Sequence, residues 1–321
     1  MQEQNAFKKK VLIAGCGVIG LTTACYLQEQ GYEVSIVSKD LPPQTTSAKA
    51  AAIWLPFKVE PKDKVNRWSR LAYDYYVELA QIANSGISMI DFIVLAPNND
   101  PPEWLDALPA EAVHPTPSGL LPSGYTFAHT LRVPLIETPI YLQYLWQSFL
   151  NSGGTINLQT IEQISDLQQE EKIIINCTGL GSKTLLNDAL LYPIQGHLAK
   201  IPVKEGIRCI ADDDGPNALS YVIPRKDAII LGGTAKANDH NTAVDEATVA
   251  AIKSRCSNIE PNIKDLPIFE TMVGLRPART AIRLEYDAQQ NIYHNYGHGG
   301  GGFTVSWGCA QALAELIASH S

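Results

Sequence analysis

The first structural unit is predicted by residues 10–31, which read KVLIAGCGVIGLTTACYLQEQG. Lys10 to Ala14 form a short apolar run that predicts a β-strand, and Leu21 to Gln30 have helical composition until Gly31 offers a left-handed cap. Residues 33–37 (EVSIV) predict the next strand. The first 38 residues therefore predict one strand–helix–strand unit of an α/β protein.

Three glycines in this stretch, Gly15, Gly17 and Gly20, have the GxGxxG spacing between a predicted strand and a predicted helix. The first permits a tight turn, the second lets backbone amides approach a pyrophosphate, and the third lets helix and strand pack closely. The spacing alone is weak, but in this context it predicts a dinucleotide site. The alternative is a set of glycines in an unliganded turn.

The type of dinucleotide is left open by the end of the second strand. About 20 residues after such a glycine loop an acid usually binds a ribose hydroxyl, and here Ser38 is followed by Lys39 and Asp40. A serine hydroxyl can still bind a ribose, while Lys39 either approaches a phosphate or is solvated. The next loop favours FAD over NAD, because TTSAKAAA (45–52) offers hydroxyls for phosphates and then small side chains beside a flat ring.

The rest of the chain predicts a second, different sheet. Residues 58–132 mix aromatic residues with proline clusters and predict an inserted domain with long loops. Ile140 to Leu150 predict an amphipathic helix, and KIIIN (172–176) predicts a buried strand. Five short strands of an antiparallel-rich sheet are predicted next, namely GHLAKI, YVIP, AIILGG, VGLRP and AIRLE. The run HNYGHGGGG (294–302) predicts a glycine loop beside a planar cofactor, opening a helix over 303–317.

Composition excludes several classes of function. The chain has 321 residues and a net charge of −8, and its one basic cluster is Lys8 to Lys10, so neither nucleic acid nor an anionic membrane is an expected partner. Six cysteines without a CxxC pair, and no signal-type or membrane-spanning apolar run, favour the cytoplasm. Without HExxH or GxSxG, and with scattered histidines, no metal site and no hydrolase triad are predicted.

Seven segments resemble the D-amino-acid oxidase family, which includes the D-aspartate oxidases. They are AGCGVIGLTTA (14–24), TTSAKAAAIWLP (45–56), INCTG (175–179), YVIP (221–224), AIILGG (228–233), VGLRPAR (273–279) and HNYGHGGGGFTVSWG (294–308). The resemblance implies a homodimeric FAD enzyme with a Rossmann-type FAD-binding domain interleaved with a substrate domain on a mixed, mainly antiparallel sheet. The expected FAD-binding domain comprises residues 1–57, 137–190 and 285–321, and the substrate-binding domain comprises 58–136 and 191–284.

The resemblance also implies residue roles. Arg276 binds the substrate carboxylate, the Tyr221 hydroxyl adds to it, and the Gly300 carbonyl orients the amine. A guanidinium can grip a carboxylate in bidentate fashion and so fix the direction of the Cα–H bond; the alternative is that Arg276 is a surface cation. The residues expected at FAD are Ala14, Gly15, Gly17, Val18, Ile19, Gly20, Ser38, Lys39, Thr45, Thr46, Ser47, Ala50, Ala51, Ala52, Ile161, Cys177, Thr178, Gly179, Arg276, Gly299, Gly300, Gly302, Phe303 and Thr304.

The expected substrate is a neutral D-amino acid, because Leu55 beside Ile53 predicts an apolar side-chain pocket. Asn217 stands where vertebrate members have a lid tyrosine. D-Aspartate oxidases place an arginine after the GGT strand end, but here Ala235 follows, leaving Lys236 or Arg225 as candidates to bind a second carboxylate.

The expected reaction is oxidative deamination by hydride transfer to flavin N5, with O2 as the acceptor and a 2-oxo acid, ammonia and hydrogen peroxide as products. Oxidation of D-aspartate, glycine or sarcosine, a quinone-linked dehydrogenase and a ligand-binding flavoprotein remain open.

Overall fold

The computed structural model of the protein describes residues 9–56, 59–98, 100, 102–168 and 172–320. All of the strands belong to one mixed β-sheet in this part of the chain. Lys8 and the expected domain boundary between residues 57 and 58 lie outside these ranges. The strands are β1 (Lys10–Ala14), β2 (Glu33–Ser38), β3 (Ile87–Ala96), β4 (Val113–Pro115), β5 (Phe127–Ile136), β6 (Thr155–Leu158), β7 (Lys172–Asn176), β8 (Tyr192–Ile201), β9 (Cys209–Asp212), β10 (Ser220–Pro224), β11 (Ile229–Gly232), β12 (Lys236–Ala237), β13 (Glu270–Asp287) and β14 (Ile292–His298).

The helices cover the two faces of this sheet. They are α1 (Val18–Glu29), α2 (Lys62–Leu79), α3 (Thr138–Asn151), α4 (Gly181–Leu185), α5 (Glu246–Ile259) and α6 (Gly302–Ser319). Short 3-10 turns lie at Thr46–Lys49, Glu103–Ala107, Ala110–Ala112, Ser118–Leu120, Ile164–Leu167 and Pro261–Ile263. None of the helices in the described ranges has the length and apolar character that a membrane crossing needs.

The sheet has a parallel part and a mainly antiparallel part. Its strand order is β4-β5-β3-β9-β10-β11-β8-β13-β14-β7-β1-β2-β6, and β12 pairs with β8. The strands from β14 through β7, β1 and β2 to β6 pair in parallel. From β14 outward the pairs are antiparallel, apart from β3 with β9. The predicted α/β fold with a second, mainly antiparallel part is therefore confirmed.

The first unit has the predicted form. β1, α1 and β2 follow one another, β1 and β2 are parallel, and Gly31 after the helix has a φ of +87°. α1 carries small and apolar residues on most of its surface, and Leu21, Thr22, Ala24 and Leu27 are all buried. Because the helix is covered on several sides, it lies between the sheet and α6 rather than at the surface.

One prediction about the substrate-side part was incomplete and one was wrong. Residues 58–132, predicted as an inserted domain with long loops, also contain the 18-residue helix α2 and two ten-residue strands, β3 and β5, which pair from Ile87 with Ile136 to Ala96 with Phe127. VGLRP and AIRLE are not separate strands. They belong to the 18-residue strand β13, whose register shifts between Ala278 and Arg283 as it leaves β8 and pairs with β14.

The apolar core lies on both faces of the antiparallel part. One cluster, under α5, contains Val222, Leu231 and Ile252. The other, on the face toward α1, α2 and α3, contains Trp54 and Tyr141, and partly buried Tyr221 packs against it. α5 therefore closes one face, and strand alternation directs Tyr221 to the opposite face.

Candidate active site

The GCGVIG loop is so tight that only glycine fits at two positions. Gly15 has a φ of +107°, and a Cβ there would lie 2.5 Å from the carbonyl oxygen of Cys177 at the end of β7. A Cβ on Gly20 would lie 2.0 Å from the carbonyl oxygen of Gly15. These contacts hold the start of α1 directly against the carboxyl ends of β1 and β7, where a parallel α/β sheet binds its ligands.

A second loop lies against the first. The backbone amide of Val18, at the start of α1, donates to Oγ of Ser47 at 2.9 Å. Thr45, two residues earlier, is buried, and its hydroxyl has no hydrogen-bond partner among the described residues. Because buried hydroxyls are normally paired, the Thr45 hydroxyl is suited to a bound polar group, such as a phosphate or a ribityl hydroxyl.

The third loop, Gly299 to Gly301, lies between β14 and α6 and contacts both α1 and β13 through its flanking residues. A methyl group added at Gly302, the first residue of α6, would lie 3.9 Å from Cγ1 of Val18, so α1 and α6 begin side by side. The amide of Gly299 donates to the carbonyl of Pro277 on β13 at 2.8 Å. Two adjacent helix N-termini carry partial positive charge and favour an anionic ligand such as a pyrophosphate.

Tyr221 and Arg276 meet across two glycines of the intervening strands. A Cβ on Gly232 of β11 would lie 2.1 Å from Cζ of Tyr221, and a Cβ on Gly196 of β8 would lie 2.5 Å from Nη1 of Arg276. Both side chains therefore lie flat on the sheet, one over each glycine. Nη1 of Arg276 donates to the carbonyl of Thr234 at 2.9 Å, which fixes the guanidinium there.

The electrostatics of this pair suit an anionic, hydrogen-bonding group. Burial raises the pKa of Tyr221 above its usual value, although the neighbouring positive charge of Arg276 opposes that shift. The phenol is therefore neutral and can donate, beside a guanidinium that remains charged. A methyl group added at Gly300 would lie 3.7 Å from Cδ of Arg276, so the glycine loop adjoins the same position.

The chain is similar to known proteins over most of its length. A sequence model of the family described as FAD dependent oxidoreductase matches residues 10–316. The chain belongs to this family. It is 37% identical over 323 residues to a D-amino-acid oxidase of Dictyostelium discoideum, an alignment that covers 97% of this chain and 92% of the relative. It is 30% identical to the human D-aspartate oxidase, with 96% of this chain and 94% of that protein covered.

A solved structure shows the same fold. The glycine oxidase from Geobacillus kaustophilus superposes with a TM-score of 0.78 at 16% identity, covering 97% of this chain and 95% of that one. The three loops and the unpaired Thr45 hydroxyl fit FAD, the cofactor of this family.

The expected FAD residues lie in several segments of the chain. Those of the GCGVIG loop and the glycine loop adjoin each other, as described above. Cys177, Thr178 and Gly179 follow β7, where the Thr178 hydroxyl bonds Oδ1 of Asn176 at 2.8 Å. The Ala50–Ala52 segment follows the 3-10 turn, and Ile161 packs on the apolar cluster around β1.

At Ser38, Lys39 and Thr304, which are also expected FAD positions, the polar groups contact protein partners. The Ser38 hydroxyl donates to the carbonyl of Asp40 at 2.8 Å, and the exposed Lys39 lies 3.8 Å from the Asp40 carboxylate. The Thr304 hydroxyl bonds the backbone amide and carbonyl of Leu55 at 3.2 and 3.1 Å. Thr304 therefore holds the segment that carries Leu55, and its hydroxyl hydrogen is used in that contact.

The expected apolar pocket residues lie in that segment. Trp54 is fully buried and donates to the carbonyl of Ser69 at 3.0 Å. Ile53 and Leu55, on either side of it, are half-buried. Because side chains alternate in an extended segment, Ile53 and Leu55 face away from Trp54.

The candidates for a second carboxylate are not both available. Arg225 is 5% exposed, and the three nitrogens of its guanidinium donate to Asp227, Ala51 and Thr138, so the suggestion that it reaches the pocket was wrong. Lys236 is exposed on β12. Asn217 is held in the β9–β10 loop, since its amide donates to Asp212 at 2.8 Å and its side chain donates to Tyr125 at 2.9 Å.

Sequence reasoning missed the residues that make the site possible. Gly196 and Gly232 provide the flat surface under Arg276 and Tyr221, and a glycine inside a strand pattern is the signal for a close approach of this kind. Buried Asn176 accepts hydrogen bonds from the amide and hydroxyl of Thr178 at 3.0 and 2.8 Å. Lys49 donates to the carbonyl of Val273 at 3.1 Å.

Gly232→Ala is expected to displace the Tyr221 ring, because the added methyl would overlap its buried face. We expect at least a tenfold rise in KM for a D-amino acid, since one hydrogen bond to a charged group contributes about 1.5–3 kcal/mol. Steady-state kinetics on the FAD-loaded protein would measure it. Gly274→Ala is the matched control, because its methyl would make an ordinary 3.6 Å contact with Lys49. An unchanged KM in Gly232→Ala would contradict the role of Tyr221.

His298 is expected to make the protein less stable in acid. It is buried, its Nε2 has no partner among the described residues, and burial lowers its pKa to about 3. The pKa of an unfolded histidine is about 6.5. Between these two pKa values the unfolded chain binds more protons than the folded chain, so the free energy of unfolding falls as the pH falls. From pH 7 to pH 5 this histidine should cost about 2 kcal/mol.

Urea unfolding at both pH values measures that cost in the wild type and in His298→Gln, in which the difference should shrink by this amount. His114→Gln, at an exposed histidine of β4, should keep the wild-type dependence. The same pH dependence in all three proteins would rule out this role for His298.

Among the described residues, no cluster of three or more His, Cys, Asp or Glu side chains is placed to hold a metal ion.

Proposed function

We propose that the protein oxidises the Cα–N bond of a small neutral D-amino acid, giving an imino acid that hydrolyses to a 2-oxo acid and ammonia, while O2 is reduced to hydrogen peroxide. The single observation that carries the proposal is the meeting of Tyr221 and Arg276 over Gly232 and Gly196, beside the loop at Gly300. That arrangement offers a charged fork and a neutral hydroxyl for a carboxylate next to the expected cofactor position.

Each residue has a separate task in this proposal. Arg276 binds the substrate carboxylate and the Tyr221 hydroxyl donates a further hydrogen bond to it. The Gly300 carbonyl, on the loop beside Arg276, accepts a hydrogen bond from the amine. Bound FAD supplies the acceptor for the hydride that leaves Cα. With carboxylate and amine both held, only one enantiomer directs its Cα–H bond toward the cofactor.

His298, the histidine just before the glycine loop, does not accept the proton of the substrate amine. Burial lowers the pKa of His298 to about 3, which is far below that of an ammonium group. A group with so low a pKa accepts a proton poorly from such an acid. We therefore assign the reaction to the free amine, which the substrate contributes in its deprotonated form.

The side-chain preference follows from the surroundings of Leu55 and Ile53. Both are apolar, and Arg225 is engaged elsewhere, which supports a neutral side chain. D-Aspartate is the second candidate substrate, and one observation favours it. The aliphatic part of the exposed Lys49 lies over Gly274, which pairs with Gly196 beneath the Arg276 guanidinium, and its ammonium donates to the carbonyl of Val273 on the same strand.

An anaerobic absorbance titration tests the proposal. The purified FAD-loaded protein is mixed in turn with D-alanine, L-alanine, glycine and D-aspartate, and loss of the flavin absorbance is followed. Bleaching by D-alanine but not by L-alanine is the expected result. Bleaching by D-aspartate or glycine alone would replace the proposed substrate, and no bleaching by any of them would contradict the proposed reaction.

The larger organisation is also part of the proposal. We propose that residues 1–57, 137–190 and 285–321 form the FAD-binding domain, that 58–136 and 191–284 form the substrate-binding domain, and that the protein is a cytoplasmic homodimer. Light scattering coupled to size exclusion measures the mass of the assembly, and a monomeric mass would contradict the dimer.

A further inference from the structure

A buried arginine connects the two sides of the active site. The side chain of Arg225 is 2% exposed. Its Nη1 donates to the carbonyl of Ala51 at 2.8 Å and to the hydroxyl of Thr138 at 2.9 Å. Its Nε and Nη2 donate to the two carboxylate oxygens of Asp227 at 2.8 and 2.6 Å. Each nitrogen of the guanidinium therefore has a defined partner.

One partner of Arg225, Ala51, belongs to the proposed cofactor loop, and a second, Thr138 at the start of α3, contacts that loop. Ala51 lies in the side-chain-poor segment after the 3-10 turn, and the Thr138 hydroxyl also donates to the carbonyl of Ala50 at 3.2 Å. On its other side the segment pairs with the end of β5, where Ala52 and Ile136 exchange hydrogen bonds of 3.3 and 3.0 Å. Arg225 thus completes a clamp that holds Ala50 to Ala52 from two directions.

The same arginine is close in sequence to the carboxylate-binding tyrosine. Arg225 directly follows β10, the strand that carries Tyr221, and its amide donates to the carbonyl of Ala228 at 3.0 Å in the β10–β11 turn. A shift of this hairpin relative to the Ala50–Ala52 segment would break the contacts of Arg225. The arginine consequently fixes the position of Tyr221 with respect to the cofactor loop.

The charges in this connection are balanced. Partial burial raises the pKa of Asp227, but hydrogen bonds from Arg225 and its positive charge outweigh that effect and hold the pKa below its usual value. The pair is therefore ionised at neutral pH. The charge of Arg225 is balanced by Asp227, so it needs no substrate carboxylate as a partner.

We propose that Arg225 is a positioning residue, which sets the placement of the flavin-facing Ala50–Ala52 segment relative to the Tyr221–Arg276 pair. The inference rests on the proposed function for its effect on turnover, but its effect on the cofactor can be measured without any substrate. It assigns Arg225 no contact with the substrate.

Arg225→Lys is the informative variant, because an ammonium keeps the charge but cannot reach Asp227, Ala51 and Thr138 in the same fork geometry. We expect an altered visible circular dichroism spectrum of the bound flavin and about a tenfold weaker FAD affinity, since a charge-assisted hydrogen bond is lost. We also expect about a tenfold slower anaerobic flavin reduction at saturating substrate, with little change in KM. Thr138→Val, which removes one partner, should change the same readouts less.

Arg132→Lys is the matched control, because that arginine forms an exposed pair with Asp91 on β3. It should leave the flavin spectrum and the FAD affinity unchanged. A wild-type flavin spectrum, FAD affinity and reduction rate in Arg225→Lys, with only a lower melting temperature, would overturn the proposal and leave a purely structural arginine. If no amino acid bleaches the wild-type flavin, the proposed function fails, while the spectrum and FAD affinity still decide the role of Arg225.

Discussion

Arg276→Leu should lower kcat/KM for a D-amino acid by about 100-fold or more. The substitution removes the charged fork that we propose binds the carboxylate, and a buried charge-assisted pair contributes about 2–3 kcal/mol or more. The cofactor should remain bound, because the loops around Gly15 and Thr45 do not depend on the guanidinium. Steady-state kinetics, together with the flavin content of the purified protein, measure both effects.

Two further variants make the role of Arg276 specific. Arg276→Lys keeps the charge but loses the bidentate geometry, so it should recover only part of the activity. Arg132→Leu removes an exposed arginine of β5 and should have a kcat/KM close to that of the wild type. Near wild-type activity in Arg276→Leu would mean that the carboxylate binds elsewhere.

Gly20→Ala should weaken FAD binding by on the order of 100-fold, equivalent to about 2.7 kcal/mol. The new methyl group would lie 2.0 Å from the backbone oxygen of Gly15, and no flexible side chain can move to make room. The helix must shift away from β1, which moves the amides at its N-terminus from the pyrophosphate position. Flavin fluorescence on dilution or dialysis measures the dissociation constant.

Gly119→Ala is the control for this effect, because the structure has nothing within 4 Å of its added methyl group. It should bind FAD as the wild type does. Retention of FAD by Gly20→Ala under the same dialysis would contradict the assignment of the GCGVIG loop to the cofactor.

Local features of the fold could be predicted from the sequence, because short-range patterns determine them. The strand, glycine turn and helix of residues 10–31 and the strand KIIIN needed only neighbouring residues. The helix α2 was missed because its buried positions are partly aromatic, Trp68, Tyr73 and Tyr76, and the proline clusters that follow it indicated loops.

The arrangement of the site could not be predicted in the same way, because it depends on how distant strands are paired in register. The roles of Tyr221 and Arg276 were expected from a resemblance, but their meeting requires Tyr221 opposite Gly232 and Gly196 two residues from the partner of Arg276. Those pairings are set by hydrogen bonds among four strands, distant in sequence. The buried position of the Arg225 side chain could not be predicted for the same reason, since its partners Ala51 and Thr138 lie far away along the chain.

The unbroken course of β13 makes the two binding events interdependent. Its Arg276 lies at the proposed substrate position, and the carbonyl of the next residue, Pro277, holds the amide of Gly299 in the loop that leads into α6. A ligand that restrains either end of this connection reduces the freedom of the other, so less conformational entropy remains to be lost when the second ligand binds. Substrate and cofactor should therefore increase each other's affinity by the same factor, as thermodynamic reciprocity requires.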